Sequence, residues 1–106
     1  DKSWLKNPKY KNFDGAIGAV ERQTASGLLS DQIKLAIKRA AIQLAFEDYS
    51  EVSEELITVQ YRNGGELLVE NIKEQTSVSL SARIMSFHFD QNERGRLKVY
   101  VWLAKI

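Results

Sequence analysis

The chain has 106 residues, the usual size of one domain with a single hydrophobic core. Hydrophobic residues make up 43% of it and charged residues 27%, a composition that excludes an intrinsically disordered chain. The formal net charge of +1 disfavours a polyanionic partner such as nucleic acid, and the absence of cysteine excludes disulfides, thiolate metal sites and thiol catalysis.

The first segment, residues 1–12, is rich in lysine and asparagine and contains the only proline, which predicts an extended N-terminal arm. Trp4 and Leu5 are too apolar to remain in water, so we expect them to pin the arm to the rest of the chain. The alternative is that Trp4 is exposed and binds a partner. Residues 13–106 are predicted to form a single domain.

A short strand is predicted within residues 13–22, where Ile17 and Val20 are β-branched and small residues permit close packing. Gly15 and Gly18 form a GxxG pair, which has the spacing of the backbone clamp in KH nucleic-acid modules. That clamp joins two helices, whereas no helical pattern precedes this one. We therefore interpret the glycines as positions at which a helix packs closely against a strand.

The strongest pattern in the chain is an amphipathic helix at residues 30–46. Its apolar residues recur at steps of three and four and share one face, at Ile33, Ile37, Ala40, Ala41, Leu44 and Ala45. Ser30 is the predicted N-cap because its hydroxyl can accept a hydrogen bond from a free first-turn N–H, and Asp31 lies at the positive end of the helix dipole. The alanines allow a sheet or a second helix to approach this face closely.

Residues 47–65 fit two structures. The apolar spacing continues that of the helix as far as Tyr61, and the two glycines beyond it are typical of a helix end. Alternatively, apolar and polar residues alternate over residues 57–61, and the RNGG sequence that follows is typical of a hairpin turn. We favour the helix because the preceding EVSEEL segment is helical in charge and composition.

A second helix is predicted for residues 66–81, although strong helix formers become rare and apolar residues begin to alternate near its end. β-rich runs at residues 83–90 and 97–106, joined by residues 91–96, predict a terminal antiparallel hairpin. Together the elements predict an α+β fold in the order β-α-α-β-β. The N-terminal strand and the terminal hairpin form a small antiparallel sheet, with both helices packed on one face.

The face of this sheet that lies opposite the helices is the predicted interaction surface. Alternate residues of the last strand point to the helices, at Leu97, Val99, Val101 and Leu103; the others point away, at Lys98, Tyr100, Trp102 and Ala104. The candidate surface comprises Tyr100, Trp102, Ile84 and His88. An exposed apolar patch of this kind needs a cover, and three are open: the arm, a second copy of the chain, or another protein.

No residue pattern predicts a catalytic, cofactor-binding or metal-binding site. His88, the only histidine, lies between Phe87 and Phe89 in a predicted strand, which is more typical of a surface histidine than of a catalytic one. Zinc needs more nitrogen or sulfur ligands than one histidine and no cysteine supply. Gly64 and Gly65 lack the lysine and the strand-to-helix context of a phosphate loop. We therefore predict that the chain is not an enzyme and uses no cofactor.

Five motifs in a fixed order carry a family resemblance: SWLKNP near the start, FDGAIGAV, the stripe of Ala36, Ala40, Leu44 and Ala45, then VSLSARI, and finally YVWL. In this order they resemble the Lpp-twenty family of small bacterial lipoproteins, best known as Helicobacter surface lipoproteins. More distantly they resemble the N-terminal domain of the flagellar assembly protein T. The resemblance implies one strand, two helices and a terminal hairpin, and it transfers no catalytic or binding residue. It also implies a signal peptide and a lipobox cysteine before Asp1, with acylation and attachment to the outer membrane.

The apolar runs are shorter than the ~20 residues that cross a bilayer, and no signal-peptide pattern begins the sequence. We expect either a cytosolic chain or one whose targeting segment was removed before Asp1. The leading hypothesis is a non-enzymatic cell-envelope domain, lipid-anchored in the full-length protein, that binds an envelope or flagellar protein or pairs with a second copy through the open sheet face. The alternative is a cytosolic α+β module that binds RNA or a small ligand, prompted by the GxxG pair and the aromatic sheet face.

Overall fold

The computed structural model describes residues 2–48, 51–72 and 79–106 of the chain. In chain order its regular elements are β1 (Gly15–Val20), α1 (Leu29–Ala45), β2 (Ile57–Tyr61), β3 (Glu66–Asn71), β4 (Ser79–Gln91) and β5 (Leu97–Lys105). Two 3-10 turns, Ser3–Leu5 and Tyr10–Asn12, precede β1. The arm is therefore folded into turns and is not extended as predicted.

The five strands form one antiparallel sheet in the order β1-β5-β4-β3-β2, and α1 packs against one of its faces. The prediction of two helices in the order β-α-α-β-β is therefore wrong, because the described residues contain one α-helix and five strands. The predicted pairing of the two C-terminal strands is confirmed, and β1 pairs with β5 at the sheet edge.

The predicted second helix is instead strand β3, paired with β2 in a hairpin. Val59 lies opposite Val69 in this hairpin, and the turn Asn63–Gly65 joins the two strands. Gly64 and Gly65 have φ angles of 73° and 75°, which other residues rarely adopt. The alternation across residues 57–61 and the turn sequence therefore indicated the structure better than the helical composition did. A two-residue period places all apolar side chains on one buried face only in a strand. Residues 73–78 of the predicted helix lie outside the described part of the chain.

The core helix also ends earlier than the favoured extension to Tyr61, since α1 stops at Ala45 and β2 begins at Ile57. Phe46, the C-cap residue, is 57% exposed, so the buried stripe ends there. The chain then turns, with the N–H of Asp48 donating to the carbonyl of Ala45.

The buried stripe of α1 is confirmed, with Ile37, Ala40, Ala41, Leu44 and Ala45 all at most 3% exposed. Ile33 is partly buried against the same core. The N-cap prediction is wrong by two residues, since Leu28 occupies that position and makes no side-chain cap. Ser26 lies just before the helix, where its hydroxyl accepts from the N–H of Leu28 and donates to the carboxylate of Asp31.

Close packing of α1 on β1 depends on Gly18. A Cβ at this position would collide with the backbone of Ala36 and Ala40, which face it from the helix. The interpretation of this glycine as a packing position is therefore confirmed. Val99, Val101 and Leu103 of β5 join the same core and are fully buried.

Candidate interaction surface

The arm covers the aromatic end of the open sheet face, which is the face opposite α1. Trp4 stacks on Trp102 with ring centroids 5.8 Å apart and planes within 6°, while Phe13 meets Trp102 edge-on at 5.7 Å. Tyr10 tilts against the same indole at 6.5 Å. Trp4 is 3% exposed, so the alternative of an exposed, partner-binding Trp4 is wrong.

A hydrogen bond fixes the arm on this ring. The indole N–H of Trp102 donates to the carbonyl of Pro8 at 2.7 Å. Gly15 leaves room for that contact, because a Cβ on it would collide with both the Pro8 carbonyl and the Trp102 nitrogen. Of the three covers that the sequence left open, the arm is the one that lies on Trp102.

The four residues predicted to form one surface are divided by the structure. Trp102 is 6% exposed beneath the arm. Tyr100 and His88 lie opposite each other on the open face with ring centroids 5.7 Å apart, as predicted. Ile84 lies opposite Leu103 and packs against the core on the α1 face, so its placement beside Tyr100 was wrong. The cause is a β-bulge at Met85, which shifts the register of β4 by one residue.

The open face carries a charge on its rim beside Tyr100. The ammonium of Lys98 lies 4.7 Å from the centroid of the Tyr100 ring and 2.8 Å from a carboxylate oxygen of Glu21. The hydrogen bond from Lys98 lowers the pKa of Glu21, and the same hydrogen bond raises the pKa of Lys98. Both groups are charged at neutral pH, so this end of the face is polar.

The second half of β4 has a strand neighbour on one side only. β3 pairs with β4 from Ser79 to Arg83, whereas β5 pairs with it as far as Gln91. Residues 84–91 therefore form a strand edge without a partner among the described strands, and we call this segment the free β4 edge. It contains neither lysine nor proline, and Asp90 is its one acidic residue.

The direction of the backbone groups along this edge follows from the turn. The N–H of Asn92 donates to the carbonyl of Arg96, so Asn92 faces β5. Peptide groups alternate in direction along a strand, so those of His88 and Asp90 also face β5. Those of Phe87, Phe89 and Gln91 point outward. The Ser86 hydroxyl lies 3.5 Å from the carbonyl of Phe87, at the limit of a hydrogen bond.

Two aromatic side chains accompany these outward groups. Phe87 lies opposite Val101 and Phe89 opposite Val99, which places both rings on the α1 face of the sheet. They stack with centroids 6.3 Å apart and are 39% and 44% exposed. From the sequence, Phe87 and Phe89 were predicted only as the strand neighbours of His88. Their spacing of two residues indicates that both rings lie on the same face of the strand, and this was the signal available in the sequence.

The two outer strands of the sheet are protected in other ways. On β1, the Arg39 guanidinium donates to the outward carbonyl of Ala19 at 2.9 Å. β2 spans only residues 57–61, and a very short edge strand is itself a protection against pairing. The free β4 edge is therefore the longer and less protected of the edges that the described residues present.

A cleft of about 510 Å³ lies at the N-terminal end of α1, where the end of β1 and the start of β5 form part of its wall. The Gln32 side chain, 2% exposed, forms part of its wall and donates to the carbonyl of Leu97 at 2.8 Å. The guanidinium groups of Arg22 and Arg96 form no ion pair with the described residues. The cleft thus combines two cationic groups, a buried amide and the carboxylate of Glu21, which is ion-paired with Lys98.

Within residues 2–48, 51–72 and 79–106, no three His, Cys, Asp or Glu side chains are grouped as metal ligands. None of the described helices has the length and apolar character needed to cross a membrane.

Comparison with known proteins gives no relative. No protein-family model, no curated protein and no solved structure matches this chain. The lipoprotein resemblance therefore stays a prediction that depends on the order of the sequence motifs.

Proposed function

We propose that this chain is a non-enzymatic binding domain that takes up an extended segment of a partner protein along the free β4 edge. One observation carries the proposal. The eight residues 84–91 pair with β5 on one side only, and this segment has two exposed phenylalanine rings. Strand addition at such an edge derives affinity from main-chain hydrogen bonds and specificity from alternate side chains.

The chemistry of the edge defines the segment it would accept. Outward N–H and C=O groups at Phe87, Phe89 and Gln91 are spaced to pair with an antiparallel strand. On the α1 face the two phenylalanine rings favour apolar side chains at every second position of that strand. On the open face His88 and Asp90 favour polar ones. We therefore propose a partner segment in which apolar and polar residues alternate.

A peptide-display selection tests this function. The chain is immobilised at low density, and random peptides are selected for binding. We expect an alternating apolar consensus that is lost in Phe87→Lys and Phe89→Lys. Phe46→Lys is the matched control, because Phe46 is 57% exposed at the end of α1 and remote from the edge. Selected peptides that bind all three variants equally would exclude this edge.

Hydrogen exchange measures the main-chain part of the same proposal. On addition of a selected peptide, exchange at the amides of Phe87, Phe89 and Gln91 should slow at least about tenfold, since each gains a hydrogen bond. The amides of His88 and Asp90 already face β5 and should change less. Equal slowing along the whole strand, or none, argues against strand addition.

The envelope location and the lipid anchor belong to the proposal through the lipoprotein resemblance alone. We propose that the full-length protein is acylated and faces the periplasm or the cell surface, where its partner is an envelope or flagellar component. Mass spectrometry of the full-length protein after membrane extraction tests this. An unacylated protein in the soluble fraction contradicts it and leaves the strand-addition proposal untouched.

A second candidate function, binding of a small ligand, is favoured by the cleft beside the N-terminus of α1. Arg22 and Arg96 suit a carboxylate or phosphate group, and the Gln32 amide suits a polar neighbour of that group. A panel of small carboxylates and phosphate esters should raise Tm for the native chain and not for Arg22→Gln/Arg96→Gln. RNA is tested with the same pair of proteins, and its retention by the native chain alone would favour that alternative.

A further inference from the structure

We infer that the free β4 edge pairs with the same edge of a second copy of this chain, in an antiparallel register in which Phe89 lies opposite Phe89 of the second copy. This inference rests on the proposed function, because it names an occupant of the same edge. It differs from the dimer through the open face that the sequence suggested, since the arm already covers Trp102 on that face.

The edge is complementary to itself in its hydrogen-bonding groups. A two-fold axis at Phe89 places Phe87 of each copy opposite Gln91 of the other. These are the residues whose peptide groups point outward, so each facing pair exchanges two hydrogen bonds and the strands share about six. The two five-stranded sheets then form one continuous sheet.

The polar side chains of the edge favour this register. His88 and Asp90 lie on the same face of β4, two residues apart, and the axis at Phe89 places His88 of each copy opposite Asp90 of the other. An imidazole opposite a carboxylate is favourable across a strand pair. An axis at His88 would instead place two imidazoles opposite each other.

The bulge at Met85 supports the same choice. With the axis at Phe89, pairing uses only residues 87–91, which lie beyond the bulge. With the axis at His88, Gln91 would have to pair with Met85, where the bulge disrupts the regular alternation. The bulge therefore limits the length of strand that a second copy can use.

The aromatic rings provide the apolar part of the contact. Phe87 and Phe89 already stack on each other at 6.3 Å within one copy. In the inferred register the two Phe89 rings are direct cross-strand neighbours, and each Phe87 ring is a diagonal neighbour, within reach of aromatic side chains. Four rings that are 39% or 44% exposed in one copy become mutually covered.

Single cysteine substitutions test the register, and no native cysteine can form a competing disulfide because the chain contains no cysteine. Paired Cα atoms of an antiparallel strand pair lie about 5.5 Å apart, within the range that a disulfide bridges. Phe89→Cys should therefore form a covalent dimer under mild oxidation. Gln91→Cys and His88→Cys should not, since each lies opposite a different residue. Crosslinking of His88→Cys with none at position 89 would overturn this register.

Charge variants test the His88 and Asp90 pairing by sedimentation equilibrium of the full chain. His88→Asp places two carboxylates opposite each other and should weaken the dimer about tenfold or more. Adding Asp90→Lys to that variant restores an opposite-charge pair and should recover most of the loss. Failure of the double variant to recover any affinity contradicts the register.

The two proposals fail in different ways. A native chain that is monomeric at every concentration, with no crosslink at position 89, overturns the second copy as occupant. If displayed peptides still bind the edge in that case, strand addition to another protein stands. If neither a second copy nor a peptide binds the native chain, so that Phe46→Lys and Phe89→Lys show the same absence of binding, both proposals are wrong.

Discussion

Trp102 shows how much a single side chain contributes to the open face. Its ring contacts Trp4, Tyr10 and Phe13, and its N–H donates to the carbonyl of Pro8. A tryptophan that is 6% exposed needs a partner for its N–H, and the turn at Pro8 provides one. One residue therefore joins the arm to β5 by both apolar contact and a directed hydrogen bond.

Trp102→Phe separates these two contributions. Phenylalanine keeps much of the ring contact but loses the donor, leaving the Pro8 carbonyl without its partner. We expect the free energy of unfolding to fall by about 1–3 kcal/mol. Urea denaturation measures it, and Leu28→Ala is the control because Leu28 is 58% exposed. A change no larger than in the control would mean that the hydrogen bond contributes nothing.

At the scale of elements, α1 is held on the sheet by close backbone approach at its middle and by ion pairs beyond its C-terminus. Gly18 of β1 admits the backbone of Ala36. Beyond the C-terminus of α1, the Lys105 ammonium lies 2.8 Å from Glu47 and 3.2 Å from Asp48. Packing sets the distance between helix and strand, and the ion pairs connect the turn after the helix to β5.

Gly18→Ala tests the close approach. The added methyl group meets helix backbone, which cannot rotate away, so α1 must shift from β1. We expect a loss of about 1–3 kcal/mol in the free energy of unfolding, typical of overpacking. Ala19→Ser, on the opposite face of the same strand, is the matched control. Equal stability of the Gly18→Ala variant and the native chain would contradict the close packing.

Lys105→Met tests the ion pairs through their pH dependence. The hydrogen bond from Lys105 holds the pKa of Glu47 below its ordinary 4.5. That stabilisation is present above pH 4.5 and is lost as the pH falls through the lowered pKa. Burial lowers the pKa of Lys105, but hydrogen bonds to Glu47 and Asp48 outweigh it and leave a pKa above 10.5. Its contribution is therefore present below pH 10.5 and is lost as the pH rises through the raised pKa.

The expected result is a lower Tm for Lys105→Met near pH 7 and a smaller difference near pH 3. The loss at pH 7 should be small, because solvent screens ion pairs whose carboxylates are exposed. Lys34→Met, an exposed position on α1, is the control. A Tm difference that is the same at both pH values would show that packing of the lysine stem, rather than charge, accounts for it.

At the scale of the whole molecule, the sheet has its core on one face and is partly covered by the arm on the other. α1 covers one face over β1 and β5, and the arm covers the aromatic part of the other. The free β4 edge lies beyond both covers. That edge combines eight residues paired on one side only with two exposed phenylalanine rings.

Removal of residues 2–12 tests the role of the arm in this arrangement. Trp102 would lose its cover from Trp4 and Tyr10, so we expect increased binding of a hydrophobic dye and a lower Tm. Tryptophan fluorescence should shift to longer wavelength as the Trp102 ring meets water. An unchanged Tm and emission maximum would contradict the contact between the arm and the sheet.

The sequence by itself determined the α1 stripe, the terminal hairpin, the alternation of β5 and the close packing at Gly18, because each depends on a local period or a single residue type. The tertiary structure alone decided that residues 57–71 form a hairpin, since short apolar runs satisfy either period until a neighbouring strand is present to pair with them. It also decided which residues share a surface. The bulge at Met85 places Ile84, Phe87 and Phe89 on the α1 face and leaves His88 on the open face, and a one-residue shift of this kind depends on strand register.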